Sequence, residues 1–241
     1  MTFLWMAAVC LLAGFTQGVS GFGAALVAMP LLTLFLDVRT AVPLYMLHGI
    51  IITGYLSFQL RRHLDWQKIQ PLLLGSLPGI VVGIYALKRF DSSNLQVTMG
   101  VFIFLYALYS LTCRPQPKEL AAHWSYVAGF FTGAISSAFS AGGPPAVIYV
   151  TLSGWKKDVI KVTLSVFFFI TGILTVAGHA VSGLTTLHIL KLFAGSVIFT
   201  LAGVWSGSLC YGRIQRGTYI KIMLWMLAGL GILMVAGRYL K

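Results

Sequence analysis

"GFTQGVSGFGAALVAMP", residues 14–30, holds four glycines, two hydroxyls, an amide and a proline inside a stretch with no formal charge from Phe3 to Leu36. A continuous apolar run of that length reads as membrane-embedded. Lipid offers no partner to the backbone N–H and C=O groups that a helix break exposes, so breakers at this density need a reason.

The whole chain points to the same solvent. Hydrophobic residues make up 58% of its 241 and charged residues 9%, with a mean hydropathy of +0.89. A soluble domain carries about a quarter of charged residues, so this is an integral membrane protein whose first partner is the lipid bilayer. The net charge of +12 lies in short clusters between apolar runs, as in cytoplasmic membrane loops, and argues against a nucleic-acid partner. Cys10, Cys113 and Cys210 are far apart and odd in number, which indicates neither a disulfide framework nor a metal site. Nothing resembles a nucleotide-binding loop, and no cofactor is implied.

Uncharged stretches at 3–36, 40–60, 69–87, 92–113, 120–155, 162–190, 192–212 and 222–237 predict an all-α fold of about eight hydrophobic segments, joined by short polar loops. The chain also repeats. A shift of 115 residues places Gly14-Phe15 on Gly129-Phe130, Gly18 on Gly133 and Pro30 on Pro145. A shift of 118 places Thr53-Gly54 on Thr171-Gly172, and one of 120 places Gly75-Ser76 and Gly83 on Gly195-Ser196 and Gly203. The expected organisation is therefore two four-segment membrane repeats, residues 1–115 and 120–241, without a soluble domain.

The opening stretch recurs at the start of the second half as "GFFTGAISSAFSAGGPPAVIYV", residues 129–150. As single helices the two uncharged stretches would measure about 51 and 54 Å, against roughly 30 Å of hydrocarbon. A break near Ser20-Gly21-Phe22-Gly23 and another near Ser140-Ala141-Gly142-Gly143 fits the length, with the glycines expected to supply positive φ. Each break would start a half-helix whose N–H groups and positive dipole end attract anions.

The candidate substrate-binding residues are accordingly Gln17, Ser20, Gly21 and Gly23 in the first copy, and Thr132, Ser136, Ser137, Ser140, Gly142 and Gly143 in the second. All five acids lie at segment ends or in loops, so a small anion would meet no buried carboxylate. Buried hydroxyls also have a plain structural reading, a bond back to their own helix. Gly75, Gly79 and Gly83, like Gly203 and Gly207, step every four residues and read as packing seams. His48, well inside a segment, is the candidate for proton coupling, against a purely structural imidazole. His179, nearer a segment end, reads as interfacial.

The interrupted first segment, its echo ending in "GGPP", the "MPLL" that closes the first copy and the paired "GS…G" segments resemble the TauE/SafE sulfite-exporter family of membrane transporters. That resemblance implies a secondary transporter of the bacterial cytoplasmic membrane for sulfite, sulfonates or related sulfur-containing anions. A passive anion channel and a non-transporting assembly factor are the alternatives, and an enzyme is disfavoured because no nucleophile–base pair or ligand cluster sits at membrane depth.

If the interrupted segments cross, the cations divide 9 to 8 between the two sides; if they re-enter, 11 to 6. The positive-inside rule favours re-entry, inverted repeats and both termini outside. Direction, coupling ion and any homo-oligomer are left open by the residues.

Overall fold

The computed structural model describes residues 2–20, 23–60, 64–113, 120–121, 123–155, 157–210 and 216–236. Among these it is all α. Ten helices follow one another: α1 (Thr2–Ser20), α2 (Ala24–Leu32), α3 (Val38–Leu60), α4 (Trp66–Arg89), α5 (Ser92–Thr112), α6 (His123–Phe139), α7 (Gly143–Leu152), α8 (Lys157–Val181), α9 (Leu187–Cys210) and α10 (Arg216–Ala236).

Five of them, α3, α4, α5, α8 and α9, hold apolar stretches of 21 to 24 residues and can cross a bilayer. Eight full crossings are not what the described residues display. Helices α2, α7 and α6 have nine, ten and seventeen residues, fewer than the roughly 20 that a crossing takes. The physical reason lies in the two long stretches, each divided into two helices: 3–36 into α1 and α2, and 120–155 into α6 and α7.

The helices are built for lipid, large outside and small inside. Along α4 the buried positions are Ile69, Leu72, Gly75, Ser76, Gly79, Ile80, Gly83 and Leu87. Leu74, Leu77, Val81, Val82 and Tyr85 face outward. Water would penalise that exposed row; among acyl chains it costs nothing, and association rests on close backbone approach at small residues. Trp66 and Trp124, at the starts of α4 and α6, are half exposed, as interfacial anchors are.

The chain divides into two compact units that each draw on both halves of the sequence. One comprises Met1–Ala41, Phe90–Arg114 and Leu190–Lys241, the other Val42–Arg89 and Pro115–Ile189.

In the second unit, α4 packs on α6 along a glycine seam. A Cβ on Gly75 would meet the Tyr126 carbonyl, one on Gly79 the Phe130 carbonyl, and one on Gly83 the Ala134 carbonyl. Reciprocally, Gly129 abuts the Leu72 carbonyl and Gly133 the Ser76 carbonyl. Residue numbers rise together on both helices, so the two run parallel.

The first unit repeats this device with α1 and α9. Gly14 faces Thr200 and Gly203, Gly18 faces Val204 and Gly207, and Gly203 and Gly207 abut the Leu11 and Phe15 carbonyls. These helices are parallel too. Within the same unit α5 and α10 meet antiparallel, Gly100 lying against Met234 and Val235 while Gly231 lies against Phe104.

Both broken stretches double back. The end of α2 returns beside the start of α1, where Leu31, Leu34 and Phe35 line one apolar hollow of about 430 Å³ with Trp5, Ala8, Val9 and Leu12. The end of α7 returns beside the start of α6: Val150 and Ala146 share an apolar cluster with Ala128, Ile69, Leu72, Val162, Val166 and Phe167.

Candidate functional site

The break between α6 and α7 is made by Ser140, Ala141 and Gly142. Its left-handed residue is Ser140 at φ 55°, whereas Gly142 lies at φ −75°. The expectation that glycine supplies the positive φ here is thus corrected. Ser140 tolerates the conformation because its Oγ donates to the Val42 carbonyl at 2.9 Å, a bond buried from solvent.

Gly142 is required for a different reason. A Cβ there would strike Ser136 Oγ and the Thr132 carbonyl, so the chain turns back against α6 only with hydrogen at this position. Gly143 has open space around it and gives no steric reason to be glycine.

Pro144 and Pro145 follow directly in α7. Preset φ suits proline to the first turn of a helix. Four N–H positions are left over at a helix start, here those of Gly142, Gly143, Pro144 and Pro145, and the two prolines carry no hydrogen. The half-helix therefore presents two backbone donors rather than four, and side chains must supply more of any anion site than the sequence implied.

The hydroxyls divide into two groups. Ser137 is fully buried, and its Oγ lies 2.8 Å from the Gly133 carbonyl and 3.1 Å from that of Ile80 on α4. A hydroxyl has one hydrogen, and in Ser137 and Ser140 it is committed to backbone carbonyls. Thr132 is also fully buried, yet its Oγ1 has no hydrogen-bond partner. Ser136, 8% exposed, sits one turn further along the same α6 face against Gly142. The Ser136 hydroxyl thus lies against the break, and Thr132, one turn earlier, keeps an unpartnered one.

His179 on α8 belongs to this place as well, which the sequence reading missed. Far from interfacial, it is fully buried, and its Nε2 lies 2.9 Å from the Ser137 carbonyl. Phe139 ends α6, so that carbonyl is one of those a helix terminus leaves over, and the imidazole satisfies it. The carbonyl only accepts; Nε2 therefore carries the hydrogen, and in the neutral ring Nδ1 is left as a bare acceptor. Nδ1 is buried without a hydrogen-bond partner. The signal available in the sequence was the spacing Thr175 to His179, four residues on one helix face, with Thr175 Oγ1 likewise buried and unpartnered.

The first break, in the other unit, is built differently. Gly23 caps α2 at φ 89°, a backbone that glycine adopts freely. Ala24 N–H donates to Gln17 Oε1 at 3.1 Å, so the amide reaches across the break to close the start of α2. Gly21 and the side chain of Ser20 lie outside the described residues. The hollow beside α1 and α2 is lined by apolar side chains and offers an anion no donor.

His48 on α3 is fully buried, its ring 6.0 Å from that of Tyr45. Among the described residues no three His, Cys, Asp or Glu side chains group as metal ligands would.

The family model for the sulfite exporter TauE/SafE matches residues 6–234, nearly the whole chain. The probable membrane transporter protein YunE of Bacillus subtilis (strain 168) is 26% identical, over 92% of this chain and 91% of its own length. No solved structure matches. With its lipid-facing helices and the family match spanning both broken stretches, the chain belongs to the sulfite exporter TauE/SafE family and is a multi-span membrane transporter of small anions, not an enzyme.

Proposed function

We propose that this transporter moves sulfite, sulfonates or related small sulfur-containing anions across the bacterial cytoplasmic membrane by alternating access. The observation that carries the reading is the α6–α7 break, where the Ser136 hydroxyl and the first N–H groups of α7 meet beside Gly142, with the unpartnered Thr132 hydroxyl one turn earlier on α6. A small anion needs donors and tolerates no buried carboxylate, and that is the chemistry gathered there.

Alternating access fits two inverted repeats, residues 1–115 and 120–241, with α1–α2 and α6–α7 as re-entrant pairs. Three features support this. Both pairs fold back on themselves. The parallel glycine seam of α1 with α9 is echoed by that of α6 with α4: Gly14 and Gly18 sit as Gly129 and Gly133 do, while Gly203 and Gly207 take the places of Gly75 and Gly79, two turns on from the alignment that the sequence suggests. Finally α5 and α10, the last helices of the two halves, meet antiparallel, as inversion requires of corresponding elements. In this arrangement the loops carrying 11 of the 17 cations face the cytoplasm and both termini lie outside.

Reconstitution in liposomes tests the reading. Purified protein should give saturable uptake and counterflow of sulfite or a sulfonate from a panel that also includes thiosulfate and organic acids, with and without a pH gradient. Flux that rises in proportion to the gradient without saturation would make the protein a channel instead.

A further inference from the structure

Three polar side-chain atoms on α6 and α8 are buried and unsatisfied: Thr132 Oγ1, Thr175 Oγ1 and His179 Nδ1. Their helices are joined at this level by the bond between His179 Nε2 and the Ser137 carbonyl. Folded proteins partner nearly all buried polar atoms, so three exceptions on two helices joined in this way call for partners.

The chemistry of an occupant that would supply them follows from the imidazole. Its Nε2 hydrogen is committed to Ser137, and Nδ1 offers only a lone pair. A fully deprotonated oxyanion has only lone pairs of its own and would oppose Nδ1. A species with an ionised oxygen and an O–H satisfies both demands, its O–H donating to Nδ1 while its charged oxygen accepts from Thr132 Oγ1 and the α7 N–H groups.

We propose that His179 is a specificity-determining residue which selects a small oxyanion still carrying one proton, such as hydrogensulfite, over anions of the same shape and charge that carry none. This rests on the anion-transport reading above and adds the protonation state of the substrate and the residue that senses it. Methanesulfonate is the matched probe, since it shares the three-oxygen sulfur head and the single charge but has no proton to donate.

The test uses the purified full chain, with titration calorimetry in detergent and flux in liposomes, comparing hydrogensulfite and methanesulfonate. The wild type should favour hydrogensulfite by at least about tenfold in kcat/KM and in binding. In His179→Gln the side-chain amide can still reach the Ser137 carbonyl but puts no acceptor where Nδ1 was. The preference should then disappear, the ratio of the two kcat/KM values falling to about one. His179→Asn, which can return an acceptor near Nδ1, should recover part of the preference, and this guards against a mere folding defect.

Equal handling of the two anions by the wild type, or a parallel loss of both in His179→Gln, overturns the proposal while leaving anion transport standing. Selective binding without flux of any anion overturns the transport reading and leaves His179 its role. Absence of binding to either anion overturns the proposal, with flux deciding the other reading independently.

Discussion

Gln17 Oε1 accepts the Ala24 N–H at 3.1 Å, seven residues on and across a helix break. The side chain thereby does for α2 what a cap residue does at an ordinary helix start, because Gly23, which occupies the cap position, has no side chain.

Two substitutions separate capping from binding. Gln17→Ala removes one hydrogen bond of about 1 kcal/mol and should raise the anion concentration for half-saturation about fivefold. Gln17→Glu keeps an oxygen on Ala24 N–H and favours the helix dipole, yet places a negative charge at the start of α2, where it would repel an anion. Its melting temperature should match the wild type while flux falls more than tenfold. Unchanged saturation kinetics in both variants would remove Gln17 from the anion path.

The glycine seams should tolerate no side chain. Gly79→Val and Gly203→Val each drive a Cβ into a backbone carbonyl on the neighbouring helix, with no flexible side chain there to yield. Membrane levels of folded protein should drop severely in both. Gly143→Ala meets nothing within 4 Å and should accumulate normally. Size-exclusion profiles after detergent extraction report all three.

Ser140 makes a graded test of the second break. Ser140→Gly relieves the left-handed backbone but deletes the bond to Val42, two effects of about 1 kcal/mol and opposite sign. Ser140→Val loses the bond and worsens the strain. Thermal unfolding in detergent should place the glycine variant within about 2 °C of the wild type and the valine variant clearly lower.

At the start of α4, Lys68 Nζ lies 2.9 Å from Asp65 Oδ2 and 5.3 Å from the centre of the Trp155 ring. The Lys68 hydrogen bond is the main reason that the Asp65 carboxyl titrates below its ordinary range. A depressed folded-state value means that the stabilisation is present above the unfolded value and disappears as pH falls through the folded one. Both groups are partly solvated, so the effect is small. Asp65→Asn should lower the melting temperature at pH 7 by under about 2 °C and flatten its acid dependence. Lys68→Gln, which also loses the Trp155 contact, should cost more at every pH.

For His48, the Tyr45 ring is the neighbour at stacking range, and the aligned position of the other half is the apolar Val166. His48→Phe should therefore fold and keep the pH profile of anion flux. A shifted profile would identify the imidazole as a proton carrier.

Composition and periodicity alone determined the solvent, the helical class and the location of both breaks. Twenty apolar residues per span and the excess length of two stretches are properties of the chain itself, independent of what packs on what. The seams at Gly75, Gly79, Gly83, Gly203 and Gly207 were legible for the same reason, since four-residue spacing puts them on one helix face whatever the partner. Which hydroxyls keep a free hydrogen was legible only in part: Ser137 bonds back to Gly133 four residues earlier, as local rules allow, whereas the carbonyl that engages Ser140 lies 98 residues away. The left-handed residue of the second break was misread for a related reason: Ser140 adopts that backbone with a tertiary bond to Val42 that no local propensity encodes. His179, 42 residues from Ser137 and close to a helix end, acquired its buried place only when α8 packed against the terminus of α6. Local rules speak for the residues that satisfy themselves within a turn or two, and tertiary structure decides for those whose polar atoms must find partners on another helix.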